Sequence, residues 1–415
     1  MRGIAIVGAG QAGLQLGLGL LGAGHEVTLV AERRPEEVRS GRVTSTQLMF
    51  GPALRIERAA GLALWDDTAP VMPGFELSHW EPDERADAPV HRFAAVLDDE
   101  VRSVDQRVKL AAWLELFEER GGRVEYRSVG PAEVAGLAAA HDLTVLATGR
   151  GRLSALFAHD PSWPVHDRPP RTLACFYVRG VAHDDADPAA GYVRTTGVPS
   201  AGDVIIMRAL TVSGPCDIVL FEGRWGGAYD CWDDRPDVAE GWRRALELLR
   251  THAPWEYERF RHAEPTDPGA ALYGAITPTV RRPVARVDGG RAVLGMADAL
   301  AVHDPITGQG ANNAARAAAS YLDAVLGRGD LPFDEPWMRR TFDTYWDNAR
   351  HTHAFTEFMV REPQPEQVRR AIEAAFDHPE VAHRFANGYA DPSTYRAWLL
   401  DPDGADAYLS RFTKG

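Results

Sequence analysis

Two stretches late in the chain hold the residues best suited to chemistry: Gly295-Met-Ala-Asp298 and Asp304-Pro-Ile-Thr-Gly-Gln-Gly-Ala-Asn-Asn313. Asp298 follows the apolar run Ala292–Met296, so its carboxylate is expected just past a strand, where it can accept hydrogen bonds from a ribose or ribityl hydroxyl. Pro305 stiffens the next loop, and Gly308 and Gly310 let backbone come close to a ligand. Gln309, Ala311 and Asn312 complete that loop and open an Ala-rich helix over Ala311–Leu326. The helix start offers free N–H groups and the positive end of a dipole, a place for negative charge. A capped helix after a tight turn would carry the same residues, so the segment needs support from elsewhere in the chain.

The N-terminus supplies it. Gly3–Val7 reads as a buried parallel strand, Gly8-Ala-Gly-Gln-Ala-Gly13 follows at once, and a helix is expected from Gln11 to about Leu21. Glu26–Val30 gives a second strand, ending at Glu32, 19 positions after Gly13. Strand, glycine turn, helix, strand and acid form the context in which the dinucleotide fingerprint has meaning. Gly8 makes the turn, Gly10 admits a pyrophosphate, and Gly13 lets helix and strand pack. Gln11 and Ala12 fall in the same loop, and Glu32 is placed for a ribose hydroxyl.

Other elements must complete this site. Arg33, Arg34 and then Arg42-Val-Thr-Ser-Thr-Gln47 follow the second strand. Arg42 is positioned for a pyrophosphate or a ring edge, and equally for a solvated loop. Ser45, Gln47 and Met49 sit in a mixed polar–apolar run that suits a pocket wall. Phe75–Trp80 and Val90–Leu97 look like strands of a second sheet. Asp105 begins an amphipathic helix through Glu119, whose Arg107 could meet the cofactor or pair with an acid. His141–Gly149 reads as a parallel strand turning at Ala147-Thr148-Gly149 near a dinucleotide. Arg171–Val178, Tyr192–Thr196, Val204–Leu210 and Asp217–Phe221 predict an antiparallel sheet, with Met207, Leu210 and Ile306 as candidate substrate wall. The sequence beyond position 330 is helical, over Met338–Phe358, Glu366–Phe376 and Pro379–Phe385.

The resulting fold class is α/β. A discontinuous Rossmann-like domain takes 1–50, 101–158 and 284–330; a substrate domain with an antiparallel sheet takes 51–100 and 159–283; a helical C-terminal region takes 331–415. The chain's 415 residues suffice for several cores. A net charge of −14 with no basic block argues against nucleic acid. Three scattered cysteines, Cys175, Cys216 and Cys231, suit a reducing cytoplasm and lack metal spacing. The apolar N-terminus carries the fingerprint and not a signal peptide, and no apolar run is long enough for a membrane span.

Taken in order, Gly8–Gly13, Ala147-Thr-Gly149, Gly295-x-x-Asp298 and Asp304–Asn312 resemble a flavoprotein monooxygenase. Ile6–Leu18, the Arg42 segment, Val104-Asp-Gln-Arg107 and Asp304–Asn312 narrow the resemblance to the oxygenase component of styrene and indole monooxygenases, over essentially the whole chain, in an aromatic hydroxylase-like fold. That resemblance implies FAD, delivered reduced by a separate NADH-dependent flavin reductase. It implies a flavin hydroperoxide that epoxidises or hydroxylates a small apolar aromatic or alkenyl substrate, styrene- or indole-like. Gly8, Gly10, Gly13, Glu32, Arg42, Asp298 and Gly308–Asn312 would hold FAD by residue match. Dioxygen and a second copy of the chain, as a homodimer, complete the expected partners. Ser45 falls where typical styrene enzymes carry Asn beside the flavin ring, which puts styrene itself in doubt. Such chemistry needs no nucleophile or metal, only a dry apolar chamber. No zinc motif, P-loop or nucleophile elbow is present. His303 is a candidate for proton steering at the flavin, or for capping a backbone carbonyl; His351 and His353, not at helical metal-pair spacing, read as solvated. A single-component NAD(P)H-dependent hydroxylase and a non-catalytic FAD-binding redox protein remain as alternatives.

Overall fold

The computed structural model describes residues 1–80, 91–184 and 186–412. Its first sheet has six strands in the order Val284–Arg286, Ala292–Gly295, Leu143–Leu146, Gly3–Val7, Glu26–Ala31 and Arg123–Tyr126. All neighbours are parallel except the first pair. Runs such as Ile4-Ala-Ile-Val7 are buried on both faces because helices cover both. Gln11–Gly22, Gln106–Glu119 and Gly310–Arg328 do most of the covering, with Leu14, Trp113, Phe117 and Tyr321 in the core.

The second sheet runs Glu264–Pro265, Thr172–Arg179, Gly214–Gly223, Gly202–Thr211, Val193–Val198, Met72–His79, His91–Ser103 and Leu48–Met49, with Ala271–Ala275 also pairing on Thr172–Arg179. It is antiparallel except where Met72–His79 meets Val193–Val198. Every strand expected here exists. The last expected strand over Val90–Leu97 extends to Ser103; its first residue, Val90, lies outside the described residues. Alternation assigns the two faces. Ile205, Met207, Ile218 and Leu220 face one core, while Val204, Ile206, Val219 and Phe221 face another, under Val238–His252 and Pro254–Phe260.

The C-terminal helices have a definite place. Val368, Ile372, Val381 and Phe385 close over the first of those faces. One long helix, Glu335–Val360, joins the two halves. Its first part, Trp337, Phe342 and Tyr345, packs in the core of the parallel sheet. Its last part, Phe355, Met359 and Val360, packs in the core below the second sheet. Among the described residues no helix is long and apolar enough to cross a membrane.

Candidate functional site

The parallel strands end together. The Met296 N–H donates to Leu146 O, Ala147 N–H to Val7 O, and Gly8 N–H to Val30 O, so Gly8, Ala147 and Met296 form one edge. Sequence glycines are explained there. A Cβ on Gly8, at φ 114°, would lie 2.3 Å from Ala147 O, and one on Gly13 would lie 2.0 Å from Gly8 O. Those two are needed by the turn and by helix–strand packing. Gly10 and Gly310, at the starts of two helices that pack together, are different: a Cβ on either meets nothing within 4 Å. Open space beside two helix starts suits a phosphate-bearing ligand.

Other groups at this edge are also unspent. Asp298 follows Ala297, a non-glycine residue at φ 51°, and makes no side-chain hydrogen bond among the described residues. Burial lifts its pKa to about 6, with Arg150 pulling the other way. Thr148 Oγ1, Gln47 Oε1 and both amide atoms of Asn313 are buried without partners among the described residues. Gly149 takes φ 63° beside Thr148. Buried polar atoms left unpaired are costly, so a polar ligand that supplies partners fits this place. Glu32 is exposed at the end of its strand and accepts a hydrogen bond from Ser128 Oγ at 2.9 Å. Arg33 and Arg42 are exposed, and neither guanidinium makes a hydrogen bond or ion pair among the described residues.

Several expected ligand side chains hold the scaffold instead. Asn312 donates to Leu48 O and Gly308 O and accepts from Phe50 N–H, all at 2.8–2.9 Å. Gln309 donates to Thr307 O and Tyr389 O. Gln11 reaches Ala311 O and Glu57. Their amide N–H groups are spent on the scaffold; Gln11 Oε1 and Gln309 Oε1 have no partner among the described residues, and they are left for a ligand with the backbone groups of Gly310 and Ala311. The expectation for Arg107 needs correction. It is neither a surface pair nor free: its guanidinium is buried and bonds Asp105, Asp267, Thr211 and Gly41 O. All five N–H groups are spent, so Arg107 anchors the segment that carries Arg42 and Ser45 and has no donor for a phosphate. Asp105 caps the same helix, accepting from the Arg107 N–H.

A chamber lies on the inner face of the second sheet. It takes in about 360 Å³ of space free of atoms, part of it open to solvent, and is floored by Phe75, Val193, Thr195, Ile205, Met207 and Leu220. Pro305, Ile306, Thr307 and Gly308 roof it, and Tyr389 and the Thr46, Leu48, Phe50 series close the sides. Met207 and Ile306 were expected here. Gln47, Met49 and Leu210 are corrections, and the reason is a period of two. Thr46, Leu48 and Phe50 line the chamber, while Met49 packs with Leu54, Ala311 and Ala315 on the other side. Gln47, at φ 50°, is buried outside the lining. Leu210 shares the parity of Val204 and Ile206, and so points away from Met207. Ser45 ties this strip to the floor: its carbonyl accepts from Tyr177 Oη at 2.7 Å, and its Oγ accepts from Gln47 N–H.

His303 neither caps a carbonyl nor bonds anything among the described residues; both ring nitrogens are unpartnered. Burial lowers its pKa to about 4, so it is neutral at pH 7. His353 is a second correction. It is buried, 5.3 Å ring to ring from His303 and 4.7 Å from Trp163. Two residues along a helix turn a side chain by more than half a circle, so His351 stays at the surface while His353 faces in. Among the described residues no group of three His, Cys, Asp or Glu side chains could hold a metal. Sequence reasoning did not reach Phe75, Val193, Ile205, Leu220 or Tyr389. The first four carried a signal, the inward parity shared with Met207; Tyr389 carried none, since it arrives by the fold of the C-terminal helices.

Comparisons agree with this geometry. The family model for the substrate-binding domain of styrene monooxygenase A matches residues 149–259, which include the chamber floor from Val193 to Leu220. A styrene monooxygenase StyA of a Pseudomonas species is 27% identical over 99% of this chain and 98% of its own. StyA of Pseudomonas fluorescens is 28% identical over 95% and 94%. Among solved structures, the flavin-dependent brominase Bmp2 superposes with TM-score 0.65 at 15% identity, over 99% of both chains. A flavoprotein/dehydrogenase of Cytophaga hutchinsonii gives 0.67 at 12% identity, over 99% of this chain and 100% of its own. PqsL of P. aeruginosa, in complex with 2-aminobenzoylacetate, gives 0.61 at 17% identity, over 91% and 100%. The chain is a flavin-dependent monooxygenase similar to styrene monooxygenase over nearly its whole length.

Proposed function

We propose that the chain is the oxygenase component of a two-component system, taking reduced FAD from a separate NADH-dependent reductase and oxygenating a small apolar aromatic or alkenyl substrate. The observation that carries this reading is the largely apolar chamber directly under the Pro305–Gly308 loop, whose other end leads into the Gly310 helix start. The resident flavin is FAD in this reading, since a Rossmann fingerprint with an acid at Glu32 serves an adenosine half. Gly8, Gly10, Gly13, Glu32, Arg42, Thr148, Gly149, Asp298 and the backbone of Gly308–Asn312 would hold it. When bound, reduced FAD would supply the two electrons that activate dioxygen, one atom of which goes to the substrate and the other to water. The protein binds, orients and keeps water out. Phe75, Ile205, Met207 and Leu220 give the substrate an apolar floor, and Phe50 and Tyr389 give it aromatic walls. The domain division into 1–50, 101–158 and 284–330 for FAD, with 51–100 and 159–283 for substrate, belongs to the same proposal.

The test separates this from a self-sufficient hydroxylase. Purified protein with FAD, NADH and styrene or indole is followed for NADH loss and product, with and without an added flavin reductase. The expected result is no NADH oxidation by the protein alone and oxygenated product only when reduced FAD is supplied. Rapid NADH oxidation without a reductase would overturn the two-component reading. Failure to retain reduced FAD at all would overturn the oxygenase reading.

A further inference from the structure

The inner face of the second sheet is not apolar to its end. Its cross-strand rows run Phe75, Val193, Met207, Ile218, Tyr177 and then Leu77, Thr195, Ile205, Leu220, Cys175. The third row is His79, Gly197, Asp203, Glu222 and Leu173. Glu222 is wholly buried, two positions along the same face from the chamber residue Leu220. Across from it stands Asp304, 1% exposed, the residue that begins the chamber's roof. The two carboxyl groups face each other.

Their partners are unequal. Asp304 Oδ1 accepts from Ile306 N–H at 3.1 Å, holding the Pro305–Thr307 turn. Asp304 Oδ2 and both oxygens of Glu222 are buried with no N–H or O–H donor to them among the described residues. A charge-assisted N–H on one carboxyl and none on the other favours the anion on Asp304 and the acid on Glu222.

We propose that Glu222 and Asp304 share one proton at the polar end of the chamber, Glu222 donating to Asp304, and that this hydrogen bond positions the Pro305–Gly308 loop. The surrounding charges favour one shared proton: acids outnumber the one buried cation near the pair, Arg171, whose Nε and Nη1 have no partner among the described residues. Arg171, buried, is the cation whose field reaches both carboxyls. It also faces Asp203 at 3.8 Å and Glu362 at 3.4 Å. From the long helix comes Glu357, itself paired with His166. From the strand beside Glu222 comes Asp203, from the C-terminal helices Tyr389, and from the Asp304 segment the neutral His303, with His353 behind it. Arg224 is taken by Glu362. Desolvation is the first cause raising both carboxyls of the pair, and two bare carboxylates in contact would repel. Glu222 and Asp304 are positioning residues in this account. Their service to the loop rests on the flavin-monooxygenase reading; the shared proton does not.

The experiment uses the full chain, free of flavin, as wild type, E222Q and D304N. Thermal and denaturant unfolding are followed from about pH 6 to 9, with infrared spectra of the protonated carboxyl band. A proton kept by the folded pair and released on unfolding makes stability fall as pH rises. The wild-type unfolding constant therefore gains about tenfold per pH unit relative to E222Q until the pair's own pKa is passed. E222Q keeps an N–H donor toward Asp304, loses the titration, and loses the acid band; D304N keeps the buried Glu222 but removes the anion that repels its charged form, so the proton is released at lower pH than in wild type. A ratio flat with pH for both variants, with the acid band unchanged, overturns the shared proton. Should E222Q not fold, D304N decides alone. Fluorescence titration with FAD then reads the loop. E222L, with no donor, is expected to bind about tenfold more weakly than E222Q; equal affinity of the two would overturn the positioning role. Lack of FAD binding by every protein, wild type included, would sink the flavin reading and leave the proton result standing.

Discussion

At the scale of single residues, the site is built on groups left without partners. Asp298 is the clearest. Its pKa, raised to about 6 by desolvation, means that the folded protein holds its proton more tightly than the unfolded chain. The sign follows: the contribution to stability is complete below the ordinary Asp range and is lost as pH climbs through about 6. At pH 8 the folded apoprotein therefore carries a half-buried, partly desolvated anion that Arg150 eases. D298N removes that cost, so its flavin-free form is expected to melt above wild type at pH 8 and level with it near pH 4. The same change removes the acceptor for a ribityl hydroxyl, so FAD affinity is expected to fall about tenfold. Differential scanning calorimetry and flavin-quenching titration read the two effects. A variant that melts lower at pH 8 and binds FAD unchanged would remove Asp298 from the site. Arg107 teaches the reverse. Its type and place suit a phosphate, yet Asp267, 160 positions later in the chain, claims it. No local pattern could have announced that partner.

At the scale of elements, the two helix starts can be tested against each other. Gly13 is required by packing, because a methyl there would overlap Gly8 O, and backbone would have to move. Gly10 has φ −78°, which any residue adopts, and open space in front of it. G13A is expected to lose several kcal/mol of stability, on the order of 3, and flavin binding with it. G10A is expected to melt within about 0.5 kcal/mol of wild type, since it touches no protein atom. Its methyl nevertheless occupies the approach to a pyrophosphate, so FAD affinity should drop at least about tenfold. Unfolding by urea with parallel FAD titration separates the two. Tight FAD binding by G10A would move the phosphate away from this turn. Elements were the level most open to sequence reading. The βαβ unit, the strands from Arg171 to Phe221 and the helices after 330 follow from periodicity and turn residues, and they stand within a few positions of expectation. The site was less open. Choosing Gln47 and Met49 over Thr46, Leu48 and Phe50 is a slip of one residue in an extended run, and a slip of one reverses every side chain. Without the sheet's register, composition gives no reason to prefer either set.

At the scale of the whole molecule, the chamber exists because three distant parts of the chain close on one another. The sheet gives its floor, the loop after Asp304 its roof, and the C-terminal helices set Tyr389 at its side. Gln309 links the last two by donating to Tyr389 O at 2.7 Å. The long Glu335–Val360 helix then couples the core of the parallel sheet to that of the chamber. The proposed flavin and substrate sites therefore use different side chains on a shared frame, and they should respond separately to mutation. Ile205 is the position to use. It lies mid-floor, between Thr195 and Leu220, and is remote in sequence from every group assigned to FAD. I205W adds large apolar volume at the middle of the chamber floor. Overpacking costs about 1–3 kcal/mol, so the variant should fold with a lower melting temperature. It should bind FAD within about twofold of wild type, a change of under 1 kcal/mol. Given reduced FAD and oxygen, it should form hydrogen peroxide in place of product from bulky substrates such as indole. Coupling of product to oxygen consumed is the quantity to measure. I205A should push it the other way for larger substrates, with a stability loss of about 2–5 kcal/mol from the cavity. Unchanged coupling in both variants would mean that the substrate is oxidised elsewhere, and that this floor is simply core.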